Sequence, residues 1–342
     1  MTSAGAAPHG RLEAWFQFQW YGRADANPWL VPLERLFAAA ASLRRTAYRR
    51  GLLVSRRFPV PVIIVGNLTV GGAGKTPLVL WLAERLAAAG WRPGIVSRGY
   101  RGRPASEPTE VLAESDPADV GDEPLLLALR SKVPVYVHRD RGLAVSALLA
   151  RHPCDLVIAD DGLQHYALGR DLEIAVVDGA RRFGNGHLLP AGPLREPPGR
   201  LKSADLVVCN GGAANAGEWP MTLVAADAVN LISGERRPLA AFAGDRALAV
   251  AGIGNPGRFF ELLAGAGLSA EPRPFPDHHR YVPGDLPPAG CVVLMTEKDA
   301  VKCRGLAAPD HWYVPVAAQL PPEFGQRLCE LLEARCDGQE IA

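Results

Sequence analysis

The chain has 342 residues, of which 48% are hydrophobic, and its 37 Lys and Arg against 36 Asp and Glu leave a formal net charge of +1 at pH 7. This length predicts two domains with ample apolar material for their cores, and the balanced charge argues against a general nucleic-acid-binding protein. The six cysteines include no C-x-x-C pair, which indicates reduced cytoplasmic thiols and argues against a disulfide framework or a zinc site.

The first 57 residues are basic, because they hold nine Arg and three acidic residues, a charge of +6. Residues 29–57 combine Trp, Leu and Phe with Arg pairs at 44–45, 49–50 and 56–57. This mixture predicts an amphipathic helix that lies in an anionic membrane leaflet with its arginines at the headgroups. The alternative is a helix packed on the neighbouring domain with its basic face in water. No apolar run here approaches the roughly 20 residues of a membrane span, and no signal peptide is apparent.

Residues 58–218 are predicted to form a P-loop NTPase-type, doubly wound α/β domain with a parallel sheet. Six short runs that are apolar on both faces, as in a buried parallel sheet, are predicted as strands at 61–68, 94–100, 133–138, 155–161, 173–179 and 205–211. Residues 77–90 are apolar at helical spacing and end at Gly90, which predicts a helix between the first two strands. In such a fold the chemistry is expected at the carboxyl ends of the strands.

The rest of the chain is predicted to form a β-ribbon linker at 219–239, with its turn at Ser233-Gly234, and a second, smaller α/β domain at 240–342. The elements expected in this smaller domain are strands at 247–253, 291–297 and 311–316 and helices at 259–268 and 324–336.

Residues 65–77, VGNLTVGGAGKTP, closely match the phosphate-binding pattern G-x-x-x-x-G-K-[ST], but Thr69 stands where the first glycine is expected. The match lies between a predicted strand and a predicted helix, which is the context a phosphate loop requires. Backbone N–H groups at the start of the helix would hold phosphate oxygens, Lys75 would reach the β and γ phosphates, and the Thr76 hydroxyl would ligate Mg²⁺. The predicted ATP-binding residues are Thr69, Val70, Gly71, Gly72, Ala73, Gly74, Lys75 and Thr76. The alternative is a strand–turn–helix whose glycines are incidental.

The run DLVIADDG at 155–162 is typical of a Walker B strand, in which a carboxylate after four apolar residues holds Mg²⁺. Two adjacent carboxylates, Asp160 and Asp161, suggest a division of duties between metal binding and orientation. The sequence therefore predicts ATP and Mg²⁺ as cofactors.

Two other motifs compete with this interpretation. AGIGNPG at 251–257 satisfies G-x-G-x-x-G between a predicted strand and a predicted helix, but close strand–helix packing explains such glycines as well as dinucleotide binding does. TEKD at 296–299 is a near match to a guanine-binding T-K-x-D motif with its Lys one place late, so a GTPase loses support.

Six blocks together resemble the tetraacyldisaccharide 4'-kinase family, enzymes of the lipid A pathway in Gram-negative bacteria. These blocks follow one another over nearly the whole chain: VGNLTVGGAGKTP, SRGYRGR (97–103), GDEPLLLA (121–128), DDGLQHYALGRDLEIAVVDGARRFGNGHLLPAGPLRE (160–196), FPDHH (275–279) and TEKDAVKC (296–303). The family's own loop has the Thr69 variant. The resemblance implies transfer of the ATP γ-phosphate to the 4'-hydroxyl of an acylated glucosamine disaccharide 1-phosphate, which forms lipid IVA.

The resemblance also implies roles for individual residues. Asp122 matches the family's proposed catalytic base and His278 its proposed partner, whereas the residues alone allow a helix cap and an ordinary loop histidine. Arg195 is expected to clamp the γ-phosphate, and Gln164 is expected beside Asp160 and Asp161 at the Mg²⁺ site. A base and a partner in different domains imply a cleft that closes to assemble the site. His279 is expected to be structural, and Lys298 and Lys302 have no assigned role.

The chain is expected to act as a monomer, bound peripherally to the cytoplasmic face of the inner membrane. The alternative from another class is a P-loop switch ATPase, a binding module whose nucleotide state controls a partner. A switch releases free phosphate, whereas a kinase leaves the phosphate on an acceptor.

Overall fold

The structure, a computed structural model, describes residues 8–100, 102–103 and 105–337. The helices of this part of the chain are α1 (Pro8–Tyr21), α2 (Val31–Arg49), α3 (Lys75–Ala88), α4 (Pro117–Val120), α5 (Asp122–Ser131), α6 (Arg141–Arg151), α7 (Pro256–Gly265), α8 (Glu297–Cys303) and α9 (Pro322–Asp337). Its strands are β1 (Val62–Asn67), β2 (Pro93–Ser97), β3 (Thr109–Glu110), β4 (Val135–Val137), β5 (Leu156–Ala159), β6 (Leu172–Asp178), β7 (Leu206–Asn210), β8 (Trp219–Ala225), β9 (Ala228–Asn230), β10 (Arg236–Arg237), β11 (Ala247–Ala251), β12 (Ala270–Pro274), β13 (Val292–Thr296), β14 (His311–Val314) and β15 (Val316–Gln319).

The larger sheet has nine strands in the order β15-β8-β7-β6-β1-β5-β2-β4-β3. Its central strands are parallel, and β1 lies between β6 and β5 with all six of its residues buried. Side chains of α3, α5 and α9 pack on one face of this sheet, and those of α6 pack on the other. Strands covered on both faces must be apolar on both faces, which explains the sequence pattern. The predicted doubly wound α/β fold is confirmed.

The smaller sheet has six strands in the order β10-β9-β14-β13-β11-β12, of which β14, β13, β11 and β12 are parallel. The turn predicted at Ser233-Gly234 joins the antiparallel strands β9 and β10, and Gly234 has φ +72°. The predicted ribbon does not stay in one sheet, however. Strand β8 extends the larger sheet beside β7, and only β9 and β10 join the smaller one. Residues 219–239 therefore bridge the two sheets.

The C-terminal residues return to the larger sheet. The stretch 311–316, predicted as one strand, is divided at Pro315 into β14 and β15. Proline has no N–H to donate, so the β14 ladder ends at Val314. Strand β15 then pairs with β8 at the edge of the larger sheet, and α9 buries Phe324, Leu328 and Leu332 in its core. The division predicted at residue 240 stays a prediction. Strands β9 and β10, before that residue, belong to the smaller sheet, whereas β15 and α9, after it, pack with the larger one.

Helix α2 lies on the outside of the larger domain and has no buried residue. Polar groups attach it there: Glu34 accepts a hydrogen bond of 2.8 Å from the Leu188 backbone N–H. Large apolar side chains are left in solvent, with Trp29, Leu36 and Leu43 exposed by 87%, 70% and 73%. Among the described residues, none of the helices combines the length and the apolar character needed to cross a bilayer.

Candidate active site

The phosphate loop joins the buried strand β1 to the start of α3. Gly71 and Gly74 have φ values of +101° and +95°, which glycine adopts without a steric cost. A Cβ at Gly74 would lie 2.1 Å from Asn210 Nδ2, so only glycine fits there. Asn210 in turn donates a hydrogen bond of 3.0 Å to the Ala73 carbonyl, which fixes the shape of the loop. The loop therefore has the backbone conformation that a phosphate cradle needs.

Thr69 does not disturb this loop, because its place needs no glycine. Its backbone is extended and forms an antiparallel bridge with Leu194, and the next residue, Val70, donates a backbone hydrogen bond of 2.8 Å to the Pro193 carbonyl. The buried Thr69 hydroxyl accepts a hydrogen bond of 3.4 Å from Asn67 Nδ2. The loop is thus held to the 193–194 segment at the position where the usual pattern has its first glycine.

The Lys75 ammonium lies at the centre of the loop. It donates a hydrogen bond of 3.1 Å to Asn67 Oδ1 and lies 3.5 Å from Asp161 Oδ1. Arg195 Nη1 also reaches Asp161, at 3.0 and 3.1 Å from its two oxygens. Burial opposes ionisation of Asp161, but Lys75 and Arg195 outweigh it and lower the pKa of this carboxyl below its ordinary range. The predicted phosphate lysine, Walker B carboxylate and clamp arginine therefore lie side by side.

Asp160 is buried below this group. Its Oδ2 accepts a hydrogen bond of 3.4 Å from the Ser97 hydroxyl, whereas its Oδ1 is buried without a hydrogen-bond partner. Burial first, and then repulsion from the Glu123 carboxylate, raise the pKa of Asp160 above its usual value. The buried Arg141 guanidinium donates to the backbone carbonyl of Asp161 at 2.7 Å and to that of Asp160 at 3.3 Å, and so fixes the turn. An unpartnered carboxylate oxygen in this place is suited to a cation.

The predicted Mg²⁺ site is supported by the kinds of oxygen present. Mg²⁺ binds commonly through one or two carboxylates together with substrate phosphates, and Asp160 and Asp161 supply the carboxylates. In the described part of the chain, no three His, Cys, Asp or Glu side chains come together in a group that could hold a metal ion. Thr76 lies in the first turn of α3. Gln164 Oε1, by contrast, accepts a hydrogen bond of 3.3 Å from Arg195, so its predicted metal role stays a prediction.

Asp122 and His278 form a second centre: Asp122 starts α5 on the larger sheet, and His278 follows β12 of the smaller sheet. His278 Nδ1 lies 3.0 and 2.9 Å from the two oxygens of Asp122. Asp122 is the first residue of α5, and its Oδ1 also accepts a hydrogen bond of 2.9 Å from the Glu123 N–H. His278 has φ +59°, an uncommon conformation for a residue other than glycine, and the Tyr100 ring lies 5.4 Å from its ring. The predicted base and its predicted partner are therefore in direct contact.

Positive charges surround this pair. Lys298 and Lys302, both on α8, each lie 4.0 Å from Asp122 Oδ2. Burial opposes ionisation of Asp122, but the hydrogen bond from His278 and the charge of Lys298 outweigh it and lower the pKa of Asp122 to about 2. His279 points away, because it pairs with Asp285 at 2.8 Å and stacks on Phe275, as expected for a structural residue. Asp122 is therefore an ionised carboxylate throughout the neutral range.

The AGIGNPG glycines pack against the active site. A Cβ at Gly254 would lie 2.7 Å from the backbone N of Gly72, and a Cβ at Gly252 would lie 2.9 Å from Asp299 Oδ1. Arg181 donates a hydrogen bond of 2.7 Å to the Gly254 carbonyl. These glycines thus let the segment approach the phosphate loop and α8, whereas the predicted alternative was close packing between the motif's own strand and helix.

Sequence reasoning missed several residues of the site. Asn67 and Asn210 each end a parallel strand at the carboxyl edge of the sheet, and that position was a usable signal. Glu123 follows Asp122 directly in the GDEPLLLA block. Lys298 lies in the TEKDAVKC block but had no assigned role, because its partner Glu123 is 175 residues away in the chain. Arg141 had no local signal.

Comparisons with known proteins agree with this geometry. The family model for tetraacyldisaccharide-1-P 4'-kinase, LpxK, matches residues 26–333. A tetraacyldisaccharide 4'-kinase from Nitrosococcus oceani is 50% identical over 315 residues, which are 92% of this chain and 93% of that protein. One from Azoarcus sp. is 51% identical over 323 residues, 92% of this chain and 94% of that protein. A crystal structure of LpxK from Aquifex aeolicus in complex with ATP has a TM-score of 0.75 and 30% identity, covering 88% of this chain and 98% of that one. The chain belongs to the tetraacyldisaccharide-1-P 4'-kinase family.

Proposed function

We propose that the chain transfers the γ-phosphate of ATP to the 4'-hydroxyl of tetraacyldisaccharide 1-phosphate, which forms lipid IVA in lipid A biosynthesis. Two observations together carry this proposal: a phosphate loop after β1 of the larger sheet, and Asp122 at the start of α5 on that sheet, paired at 2.9 Å with His278, which follows β12 of the smaller sheet. Glu123 connects the two centres, because it follows Asp122 directly and its charge acts on Asp160. A phosphate loop alone would serve any P-loop protein, whereas a base beside it serves a kinase.

The phosphates are held by backbone and cation together. The backbone N–H groups of Gly71 to Thr76, which lead into the N-terminus of α3, would supply donors for the β and γ phosphates. The Lys75 ammonium lies 3.5 Å from Asp161 Oδ1, beside the loop, where it would neutralise charge on the β and γ phosphates. Arg195 offers planar donors to the γ-phosphate from its place beside Asp161. Thr76, Asp160, Asp161 and Gln164 would hold Mg²⁺, which neutralises charge on the transferring phosphate when bound.

Asp122 takes the proton of the acceptor hydroxyl. Phosphoryl transfer proceeds through a loose transition state, so positioning and charge matter more than base strength. A carboxylate with a pKa near 2 is a weak base but is ionised at every physiological pH. It therefore accepts the proton late, when the new O–P bond makes the hydroxyl acidic. His278 orients the carboxylate from the other domain and stabilises its charge.

The lipid acceptor is reached at the cytoplasmic face of the inner membrane, where the chain binds peripherally as a monomer. The segment around α2 supports this part of the proposal, because Trp29, just before the helix, and Leu36 and Leu43, on it, are exposed in a basic stretch of the chain. Such a segment gains from burial of apolar side chains and from attraction to anionic lipids. The exposed apolar side chains favour this interpretation over a helix with a merely solvated basic face.

The experiment that tests the proposal follows both fates of the γ-phosphate. ATP, Mg²⁺ and purified tetraacyldisaccharide 1-phosphate are mixed with the protein, and free phosphate and acceptor mass are measured together. We expect one phosphate added to the acceptor for each ATP consumed. Free phosphate in stoichiometric amount with an unchanged acceptor would support a P-loop switch ATPase and overturn the kinase.

A further inference from the structure

Lys298 joins the two domains at the Asp122–His278 pair. It lies in the first turn of α8 in the smaller domain, where its ammonium is mostly buried. Its Nζ lies 2.9 Å from Glu123 Oε1, across the domain boundary, and 3.1 Å from Asp277 Oδ1. The same Nζ lies 3.4 Å from His278 Nε2 and 4.0 Å from Asp122 Oδ2. One ammonium thus faces three carboxylates and the second nitrogen of the histidine.

This contact has a consequence for the proton of the imidazole. An ammonium donates hydrogen bonds and cannot accept one, so a hydrogen bond between Lys298 Nζ and His278 Nε2, 3.4 Å apart, requires an unprotonated Nε2. The competing carboxylate, Asp277 Oδ1, lies farther from His278 Nε2, at 3.7 Å, and is already engaged by Lys298. The remaining ring proton then belongs on Nδ1, which lies 2.9 Å from Asp122 Oδ2. In a neutral imidazole the partner of one nitrogen decides which nitrogen is protonated.

We propose that Lys298 is a positioning residue that holds His278 as the neutral tautomer protonated at Nδ1, so that His278 donates to the Asp122 carboxylate. Asp122 then remains unprotonated and oriented toward the acceptor hydroxyl. The inference rests on the proposed roles of Asp122 and His278 in the transfer reaction. This role goes beyond that of an ion pair, such as Lys298–Glu123, that only holds α5 and α8 together.

The chain contains a matched control for the Lys298–Glu123 ion pair. Arg130 on α5 pairs with Glu297 on α8, with Nη1 2.7 and 2.6 Å from the two carboxylate oxygens. This ion pair joins the same two helices as Glu123 and Lys298 do, one residue away on α8. None of the hydrogen bonds or ion pairs described for Arg130 involves Asp122 or His278. Loss of Arg130 therefore weakens the helix contact without touching the imidazole.

The test compares Lys298→Met and Lys298→Arg with Arg130→Met in the full chain. Protein with ¹⁵N-labelled histidine is studied by NMR at about pH 8, and the His278 signals are identified by their loss in His278→Gln. We expect a proton on Nδ1 and a bare Nε2 in the wild type, in Arg130→Met and in Lys298→Arg. Lys298→Met should give a mixture of tautomers. Its kcat should fall about 10- to 100-fold, as for a misplaced catalytic group, with little change in KM for ATP.

Three results would overturn the inference. The first is a wild-type His278 that carries its proton on Nε2, a measurement that needs no variant to fold. The second is an unchanged tautomer in Lys298→Met. The third is an equal loss of kcat in Lys298→Met and Arg130→Met, which would show that Lys298 only holds α5 and α8 together. Failure of the proposed function is distinguishable, because a wild type without acceptor phosphorylation refutes the kinase whatever the tautomer is.

Discussion

His278 Nδ1 lies 2.9 Å from Asp122 Oδ2, although 156 residues separate the two side chains and they belong to opposite sides of the domain boundary. The site is therefore assembled by the way the smaller domain sits on the larger one. Two ion pairs join α5 to α8 at this boundary. The cation comes from α8 in Lys298–Glu123 and from α5 in Arg130–Glu297. The predicted closure of a cleft between the domains stays a prediction.

Substitution of the pair should reduce turnover without preventing ATP binding. Asp122→Asn keeps the size of the side chain but cannot accept a proton, so we expect kcat to fall by a factor on the order of 10²–10⁴. His278→Ala should have a similar effect, and the double variant should be little worse than the poorer single one, because the residues act as a unit. Steady-state kinetics would measure this, with KM for ATP as the internal control. A near-normal kcat for Asp122→Asn would return Asp122 to the role of a helix-end residue.

The Asp122 carboxylate should also make stability depend on pH. Its folded pKa, about 2, is below the unfolded value near 3.9, so its contribution is complete above about pH 4 and is lost as the pH falls through 2. The difference corresponds to about 2–3 kcal/mol. The wild type should therefore exceed Asp122→Asn in unfolding free energy at about pH 5, and the gap should close toward pH 2. Urea denaturation at several pH values measures this gap, and a gap independent of pH would contradict the ion-pair account.

The phosphate loop should tolerate its missing glycine but not the loss of its lysine. Lys75→Ala removes the cation beside Asp161, and transfer should fall by about 10²–10³ or more, as when an electrostatic donor is lost from a transition state. Thr69→Gly should be far milder. Glycine can adopt the extended backbone of Thr69, and the substitution removes a single long hydrogen bond, the one of 3.4 Å from Asn67 Nδ2 to the hydroxyl. Activity of both variants, with circular dichroism as the folding control, makes the comparison. Loss of activity in Thr69→Gly together with retention in Lys75→Ala would refute the assigned loop.

Membrane binding should depend on charge and on the exposed apolar side chains. Binding to anionic vesicles should weaken as salt screens the arginines, and it should weaken further in a variant with Arg44, Arg49 and Arg50 neutralised. Leu36→Ser with Leu43→Ser should reduce binding at every salt concentration, since both side chains are mostly exposed. Vesicle sedimentation distinguishes the two contributions. Equal binding to neutral and anionic vesicles would remove the electrostatic contribution.

Local patterns predicted the parts of the site that are local in the chain. The phosphate loop and the Walker B carboxylates each follow a buried strand directly, so a few consecutive residues are enough to identify each of them. The single strand predicted at 311–316 was wrong, because the choice between the two sheets is made at Pro315 by tertiary pairing. Hydrophobic periodicity cannot indicate which sheet a strand joins.

Long-range contacts were beyond such patterns. Asp122 and His278 were identified from the family resemblance, and the residues alone allowed a helix end and a loop histidine. Lys298 had no assignment because its partners lie 175 and 21 residues away in the chain. The fit of Gly74 against Asn210 likewise depends on packing between distant segments.

The central claim is that phosphate passes to one defined hydroxyl of the lipid disaccharide. The most direct measurement is a ³¹P–¹H correlation spectrum of the product made with ATP and tetraacyldisaccharide 1-phosphate. The account predicts one new phosphate monoester, coupled to the proton on carbon 4' and absent from the product of Asp122→Asn. A new phosphate at any other position, or phosphate found only free in solution, would contradict it.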